Sequence, residues 1–291
     1  MTFTQILANS LVIGSIYALV ACGFSLVYST NKFMHFAHGV AVVVSSYLLY
    51  WTFSMLGMPF VISCLLTLTL TSIFGLLMSR LIYRPLQQRK SSNVILLIAS
   101  VGLLVLFENL ILIAFGPNIK TLEFVRPLAI TIFGATVTVL QIIIFIVSVV
   151  LFILLYLLMK KTKLGRNFRA VADNKELADI TGIDSKKIAD YSFILGSFLA
   201  GVAGILIALE QTLMTAMGTN LIIKGFTGAI IGGIGFVPGS IIGSYILGLA
   251  ENFGIWFLPS GFKDAITFIL LFLFLLLRPQ GLFGVDKGAR K

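Results

Sequence analysis

Long apolar stretches, separated by short polar segments, make up most of this chain. Seven of them have roughly the length, ~20 residues, that a helix needs to cross a bilayer. They are residues 5–28, 33–53, 60–82, 92–115, 133–159, 189–213 and 263–278. Because these stretches are continuously apolar rather than alternating, they predict membrane-spanning α-helices and not the strands of a barrel.

A further apolar region, residues 220–257, contains a cluster of helix-breaking residues in its middle. Within a helix, a glycine costs ~1 kcal/mol and a proline ~3 kcal/mol relative to alanine. The region therefore predicts two short helices at membrane depth, 220–234 and 238–254, joined at the cluster. A polar interruption at residues 31–39 is a second candidate break, so that each half of the chain has one.

Breaks of this kind identify candidate positions on a translocation pathway. Irregular backbone at membrane depth occurs only where protein or a water-filled cavity covers it, and broken helices in transporters often surround the substrate. The candidate pathway residues are His35, His38, Gly39, Gly232, Gly233, Gly235 and Gly239. For the two histidines, packing within the bundle is an equally good interpretation.

The composition agrees with a membrane protein. The 291 residues are 58% hydrophobic and 11% charged, against about 25% charged in soluble domains. The expected fold is an all-α polytopic transmembrane helical bundle with about 8 membrane segments, one or two of them broken. The net charge of +10 does not indicate nucleic-acid binding, because 16 of the 21 Lys and Arg lie in 80–90, 160–187 and 278–291. That is the positive-inside pattern, so these segments share the cytoplasmic side and the N-terminus lies outside.

The longest polar segment reads KKTKLGRNFRAVADNKELADITGIDSKK, residues 160–187. Asp173 and Glu176 have the spacing of a capping box, and Gly182 fits the position that ends a helix. They predict a short helix over 174–181, with Asp184 capping the next helix. A helix this short is marginal alone, which favours docking on a partner over the alternative, a solvated loop that only sets topology.

Four elements of the chain together resemble a known family. The first has the pattern LGRxxRAxAxxxxxAxxxGI, matched by Leu164, Gly165, Arg166, Arg169, Ala170, Ala172, Ala178, Gly182 and Ile183. The others are FAHG at 36–39, FTGAIIGGIGFVPGSIIGSYILGLAE at 226–251 and RPQGLFG at 278–284. They resemble permease subunits of branched-chain amino acid (Liv-type) importers driven by ATP-binding cassettes. The family usually has Asn where this chain has His35.

The resemblance implies a complete molecular assembly. Residues 1–291 would be a single transmembrane permease domain in the bacterial cytoplasmic membrane. Its partners would be a paralogous permease subunit, two ABC ATPase subunits and an extracytoplasmic solute-binding protein. Loop 160–188 would couple to the ATPase through Gly165, Arg166, Arg169, Ala170, Ala178, Gly182 and Ile183. The cargo would be branched-chain or other hydrophobic amino acids, although the same architecture also serves urea and short amides.

The remaining chemistry along the chain is sparse. The sequence contains no GxxxxGK[ST] phosphate loop, so ATP is expected on partner subunits, and the chain itself has no cofactor and is not an enzyme. The two histidines lack a third metal ligand. Acid–amide pairs begin at Glu108, Glu210 and Glu251. Interhelical hydrogen bonding, or placement at the membrane interface for Glu210 and Glu251, is favoured for them over proton relay. Intramembrane ionisable groups nevertheless leave an ion-coupled secondary transporter as the alternative function.

Overall fold

The computed structural model describes residues 2–122 and 128–284. In that part the chain is almost entirely helical. The helices are α1 Phe3–Asn31, α2 His38–Leu49, α3 Phe60–Leu77, α4 Arg84–Gln88, α5 Asn93–Phe115, α6 Val139–Lys161, α7 Lys163–Asp173, α8 Lys175–Ile180, α9 Ser185–Glu210, α10 Met217–Gly232, α11 Val237–Phe257 and α12 Lys263–Leu277. One short antiparallel hairpin joins β1 Ala129–Ile132 to β2 Ala135–Thr138.

The predicted all-α polytopic architecture is confirmed, but the predicted number of membrane segments is not. Six helices among the described residues are long and apolar enough to cross a bilayer, and the bent pair of α10 and α11 makes a seventh if it is counted as one span. The predicted span 33–53 begins as helix only at His38, since 33–37 is irregular. The predicted span 133–159 begins at Val139, because the hairpin occupies the residues before it.

The two ends of the bundle can be assigned from contacts. Gln5 Nε2 donates to the Thr136 carbonyl at 3.0 Å, so the N-terminus lies beside the hairpin. The hairpin precedes α6, whose other end leads into α7 and α8. At that second end, Arg80 Nε forms an ion pair with Asp190 Oδ2 at 2.9 Å. The basic segments 80–90 and 160–187 therefore share one end, as predicted, and the N-terminus lies at the other.

Helices α1 and α9 form the centre of the bundle. The most apolar windows of α1 and α9 are 89% and 78% buried, against 22% for those of α3, α5 and α6. Helices α3, α5 and α6 expose apolar side chains at the outside of the bundle. In the interior, small residues let helices approach closely: Ser45 Oγ donates to the Gly201 carbonyl at 2.6 Å, and Ser46 Oγ to the Gly204 carbonyl at 2.8 Å.

The predicted break in the second half is confirmed as two helices joined at the glycines. The helix direction bends by 115° between α10 and α11. The turn uses Gly233 and Gly235, at φ +110° and +84°, a region that L side chains avoid. A Cβ on Gly232 would overlap the Gly239 carbonyl. The segment 278–284 covers the turn, and the Leu282 N–H donates to the Ile231 carbonyl at 2.8 Å, which satisfies an otherwise open carbonyl at the end of α10.

Candidate functional site

The polar loop folds into two helices, and its capping differs from the prediction. Asp173 is the last residue of α7, and Asn174 is the N-cap of α8, with its Oδ1 accepting from the N–H of Glu176 at 3.0 Å and of Leu177 at 3.1 Å. The predicted capping box of Asp173 and Glu176 was therefore wrong, and α8 spans Lys175–Ile180 rather than 174–181. The reason is that α7 continues as helix up to Asp173, so the extended backbone that a cap needs first occurs at Asn174.

Helix α7 is attached firmly to the end of α6. Phe168 and Val171 are almost fully buried in the main core. Gly165 lies so close to α6 that a Cβ there would overlap the carbonyls of Leu158 and Met159. Arg169 Nη1 donates to the same Met159 carbonyl at 2.7 Å. Of the predicted coupling residues, Gly165 and Arg169 thus connect the loop to a membrane helix.

The end of α8 is connected to the start of α9. Asp179 accepts from the Ser185 N–H at 3.0 Å and from Ser185 Oγ at 2.9 Å. These two hydrogen bonds lower the pKa of the Asp179 carboxyl, and the one from the Ser185 backbone N–H has the larger effect. Their stabilisation is therefore present at neutral pH and is lost as the pH falls through that lowered pKa. Asp184 caps α9 as predicted, accepting from the Lys187 N–H at 3.0 Å.

Helix α8 presents apolar side chains to solvent. Leu177 is 59% exposed and Ile180 is 81% exposed, while Ala178 on the opposite side is buried. Arg166 and Gly182 also lie at the exposed surface of the loop. Within the described chain, this leaves Leu177 and Ile180 as an apolar patch at the end of the bundle that carries the basic segments.

Gly182 should be replaceable only by a residue that tolerates a positive φ angle. Its φ is +85°, and a Cβ at this position would meet nothing within 4 Å, so strain at the backbone is the only penalty for a side chain. Gly182→Ala should weaken the closure of α8 by about 1 kcal/mol, and thus speed amide exchange at residues 177–183 roughly fivefold. Gly182→Asn, which tolerates this region, is the matched control. Equal exchange in Gly182→Ala and wild type would contradict the prediction.

The two histidines lie inside the bundle. His35 is 2% exposed and His38 is fully buried. His35 Nδ1 lies 2.9 Å from the Tyr83 hydroxyl, and its ring contacts the Phe193 ring with centroids 4.9 Å apart. The His38 ring packs against Gly23 of α1, where a Cβ would crowd it. Both histidines therefore pack helices together here, and a role on the pathway stays a prediction.

The predicted pathway glycines fall into two places. Gly39 of α2 crosses α10 closely, since a Cβ on Gly39 would overlap the Gly218 carbonyl. Gly232, Gly233, Gly235 and Gly239 instead surround the turn that segment 278–284 covers. The structure thus brings two sequence motifs of the second half together, while the FAHG element packs against α10, with the Phe36 and Phe226 rings 5.2 Å apart.

The three glutamates form interhelical hydrogen bonds, the interpretation favoured from sequence. Glu108 Oε1 accepts from the Thr219 N–H of α10 at 2.9 Å. Glu210 Oε1 accepts from Gln141 Nε2 of α6 at 2.8 Å. Glu251 accepts from the Tyr17 hydroxyl of α1 at 2.9 Å and from the Thr267 hydroxyl of α12.

Comparison with known proteins assigns the family. Residues 6–275 match the family model described as the permease component of the branched-chain amino acid transport system. The chain belongs to this family. It is 32% identical to the high-affinity branched-chain amino acid transport system permease protein BraD of Pseudomonas aeruginosa, over 97% of this chain and 96% of that protein. It is 30% identical to LivH of Escherichia coli K12, with the same coverage.

A solved structure shares the fold of this permease. A chain of PsaBC from Streptococcus pneumoniae, determined in complex with a Fab, superposes with a TM-score of 0.52 at 14% identity and covers 96% of this chain and 93% of its own. The match to the family model and to BraD confirms the resemblance inferred from the four sequence elements. The chain is a multi-pass transmembrane permease of the ABC transporter class, and its family functions in amino-acid transport.

Sequence reasoning missed two charged residues of this permease. Asp190 is 5% exposed and forms ion pairs with Arg80 and Arg84 at the end of the bundle that carries the basic segments. Lys224, in the middle of α10, forms an ion pair with Glu251 at 3.2 Å. A lysine inside an apolar run is itself a signal, because ionisable groups at membrane depth are rare and functional.

Proposed function

We propose that this permease is one subunit of an ATP-driven importer of branched-chain and other hydrophobic amino acids in the bacterial cytoplasmic membrane. Residues 1–291 form its single transmembrane domain. A second, paralogous permease subunit completes the pathway, two ABC ATPase subunits bind and hydrolyse ATP, and an extracytoplasmic solute-binding protein delivers the cargo. The observation that carries this proposal is the exposed apolar patch of Leu177 and Ile180 on α8.

The contacts around α8 support its role as the coupling element. Exposed apolar side chains on a short capped helix are suited to a groove on another protein. A force on α8 passes to α9 through Asp179 and Ser185, and a force on α7 passes to α6 through Arg169 and Gly165. Movement of the ATPase subunits would therefore reach two membrane helices through rigid connections.

The test is co-purification followed by transport. Tagged permease is purified from its native host, and the co-purified ATPase and binding protein are identified. Uptake of labelled leucine is then measured in vesicles that contain the full complex, with ATP and with ATP depleted. Uptake that needs ATP, and that a phosphate-loop lysine variant of the ATPase abolishes, is the expected result. Permease that purifies without any ATPase subunit contradicts the proposal.

One observation favours a second candidate, an ion-coupled secondary transporter. The Lys224–Glu251 pair lies within the membrane region, and such pairs occur in proton-coupled carriers. This alternative predicts uptake that an uncoupler collapses and that ATP depletion leaves unchanged. The same vesicles decide on the cargo, because urea or a short amide would outcompete leucine if the chain served those substrates instead.

A further inference from the structure

A charged cluster joins helices α1, α10, α11 and α12. Lys224 Nζ lies 3.2 Å from Glu251 Oε1, 3.1 Å from Asp264 Oδ1 and 5.4 Å from the centre of the Tyr17 ring. Tyr17 is the midpoint of α1, fourteen residues from either end, or about 21 Å along the helix. Asp264, by contrast, lies in the first turn of α12, so the cluster connects the middle of α1 with the start of α12.

Stability alone does not explain such a cluster. Burying an ammonium and a carboxylate costs several kcal/mol per ion, and replacing a buried ion pair by apolar residues is often neutral or stabilising. Glu251 is fully buried, and its oxygens accept from Tyr17, Thr267 and Lys224. Lys224 has three donor hydrogens, and the two carboxylates engage two of them, which leaves one for another acceptor.

That remaining donor belongs to a side chain that lines a cavity. The cavity, between α1, the end of α9 and the start of α10, measures about 310 Å³, a size typical of small-molecule sites. Its polar wall includes Tyr17, Gln211, Asn220 and Lys224, and its apolar wall includes Ile16 and Leu221. Asn220 lies one helical turn before Lys224, so the two side chains share a face of α10.

The exposure of the cluster shows that this face is not a lipid face. The Asp264 side chain is 58% exposed in the single subunit, although it forms an ion pair with Lys224. An exposed carboxylate on a membrane helix faces water or another protein rather than lipid. The cavity and the cluster therefore border a hydrated pathway or a subunit interface.

We propose that the cavity is a binding site for a zwitterionic amino acid, with the substrate carboxylate on Lys224 and the aliphatic side chain against Ile16 and Leu221. The inference rests on the proposed function and adds to it the place where the substrate binds. Lys224 is the charged residue that lines the cavity, but the cluster of one lysine and two carboxylates sums to −1. A lone anion is therefore repelled, whereas the ammonium of a zwitterion offsets that charge, with the amide oxygens of Gln211 and Asn220 available as acceptors.

The test is binding by the purified full transporter in nanodiscs, without its solute-binding protein. Labelled L-leucine is displaced by leucine, by leucinamide, which lacks the carboxylate, or by 4-methylpentanoate, which lacks the ammonium. Leucine should compete at least about tenfold better than either analogue, the effect of one charged hydrogen bond. In the variant Lys224→Gln/Glu251→Gln, leucine affinity should fall about tenfold, and leucinamide should then compete as well as leucine.

These variants distinguish substrate binding at the cavity from a purely structural role of the charged cluster. The double substitution keeps side-chain size and hydrogen bonding and leaves no unpaired buried charge. Lys263→Gln, which changes a lysine one residue from Asp264, is the matched control and should bind like wild type. Asn220→Leu leaves the ion cluster intact and should lower leucine affinity about fivefold; this variant decides the question if the double variant fails to fold.

Two results overturn the inference. One is the absence of leucine binding to the wild-type transporter; the other is unchanged affinity and unchanged discrimination in the folded double variant or in Asn220→Leu. ATP-dependent leucine uptake by wild-type vesicles together with either result would leave the proposed function standing and remove only the site. No leucine uptake by the wild type would remove the proposed function itself.

Discussion

Ile180→Asp should reduce ATP-driven uptake at least tenfold and lower the amount of ATPase recovered with the purified permease. Ile180 is 81% exposed, and burying an isoleucine in a partner's groove contributes about 1.5–3 kcal/mol. An aspartate there forfeits that gain and adds the cost of desolvating a charge. Uptake should therefore fall tenfold or more, as measured with labelled leucine in vesicles and by the ATPase recovered with tagged permease.

Two further variants make this first prediction specific. Ile180→Asn removes the apolar contact without a charge, so its loss of uptake should be intermediate. Lys187→Ala changes the same loop but removes only a surface ion pair with Asp184 at 3.4 Å; because solvent screens such exposed pairs, this variant should transport like wild type. Normal recovery of the ATPase with Ile180→Asp would show that α8 is not the docking helix.

Gly232→Val should prevent the bundle from folding. A Cβ at this position would overlap the Gly239 carbonyl and crowd the Ser240 N–H, both of them backbone atoms that cannot rotate away. Overpacking of this kind costs about 1–3 kcal/mol where side chains can yield and more where they cannot. The two helices would be forced apart at their turn. Segment 278–284, which is hydrogen-bonded to that turn, would lose its contacts.

The measurement is the yield and the melting temperature of detergent-solubilised permease by fluorescence-detected size exclusion. Gly102→Val is the matched control, since nothing lies within 4 Å of a Cβ on this glycine of α5. It should give a monodisperse protein with a melting temperature near that of wild type. A folded Gly232→Val protein with an unchanged melting temperature would mean that the close approach of the two helices is not required.

The polar loop 160–187 shows which helix ends can be predicted from local sequence and which cannot. The cap of α9 at Asp184 and the end of α8 at Gly182 could be predicted, because each depends on one residue and its own backbone. The start of α8 could not, because Asp173 and Asn174 are both good caps. The packing of Phe168 and Val171 extends α7 to Asp173 and so leaves the cap to Asn174.

The sequence by itself determined the class of the molecule. Continuous apolar stretches make membrane helices, clustered Lys and Arg set the cytoplasmic side, and glycines break the helix between α10 and α11. All of these depend on composition along the chain. The match to the permease family confirms the resemblance that four separate motifs indicated.

Only the tertiary structure decided which distant residues meet. Tyr17, Lys224, Glu251 and Asp264 lie on four different helices, and no spacing along the chain indicates that they converge. The same holds for segment 278–284 on the turn of α10 and α11. A periodic pattern fixes which face of one helix is buried, but the neighbour on that face follows from how all the helices pack at once.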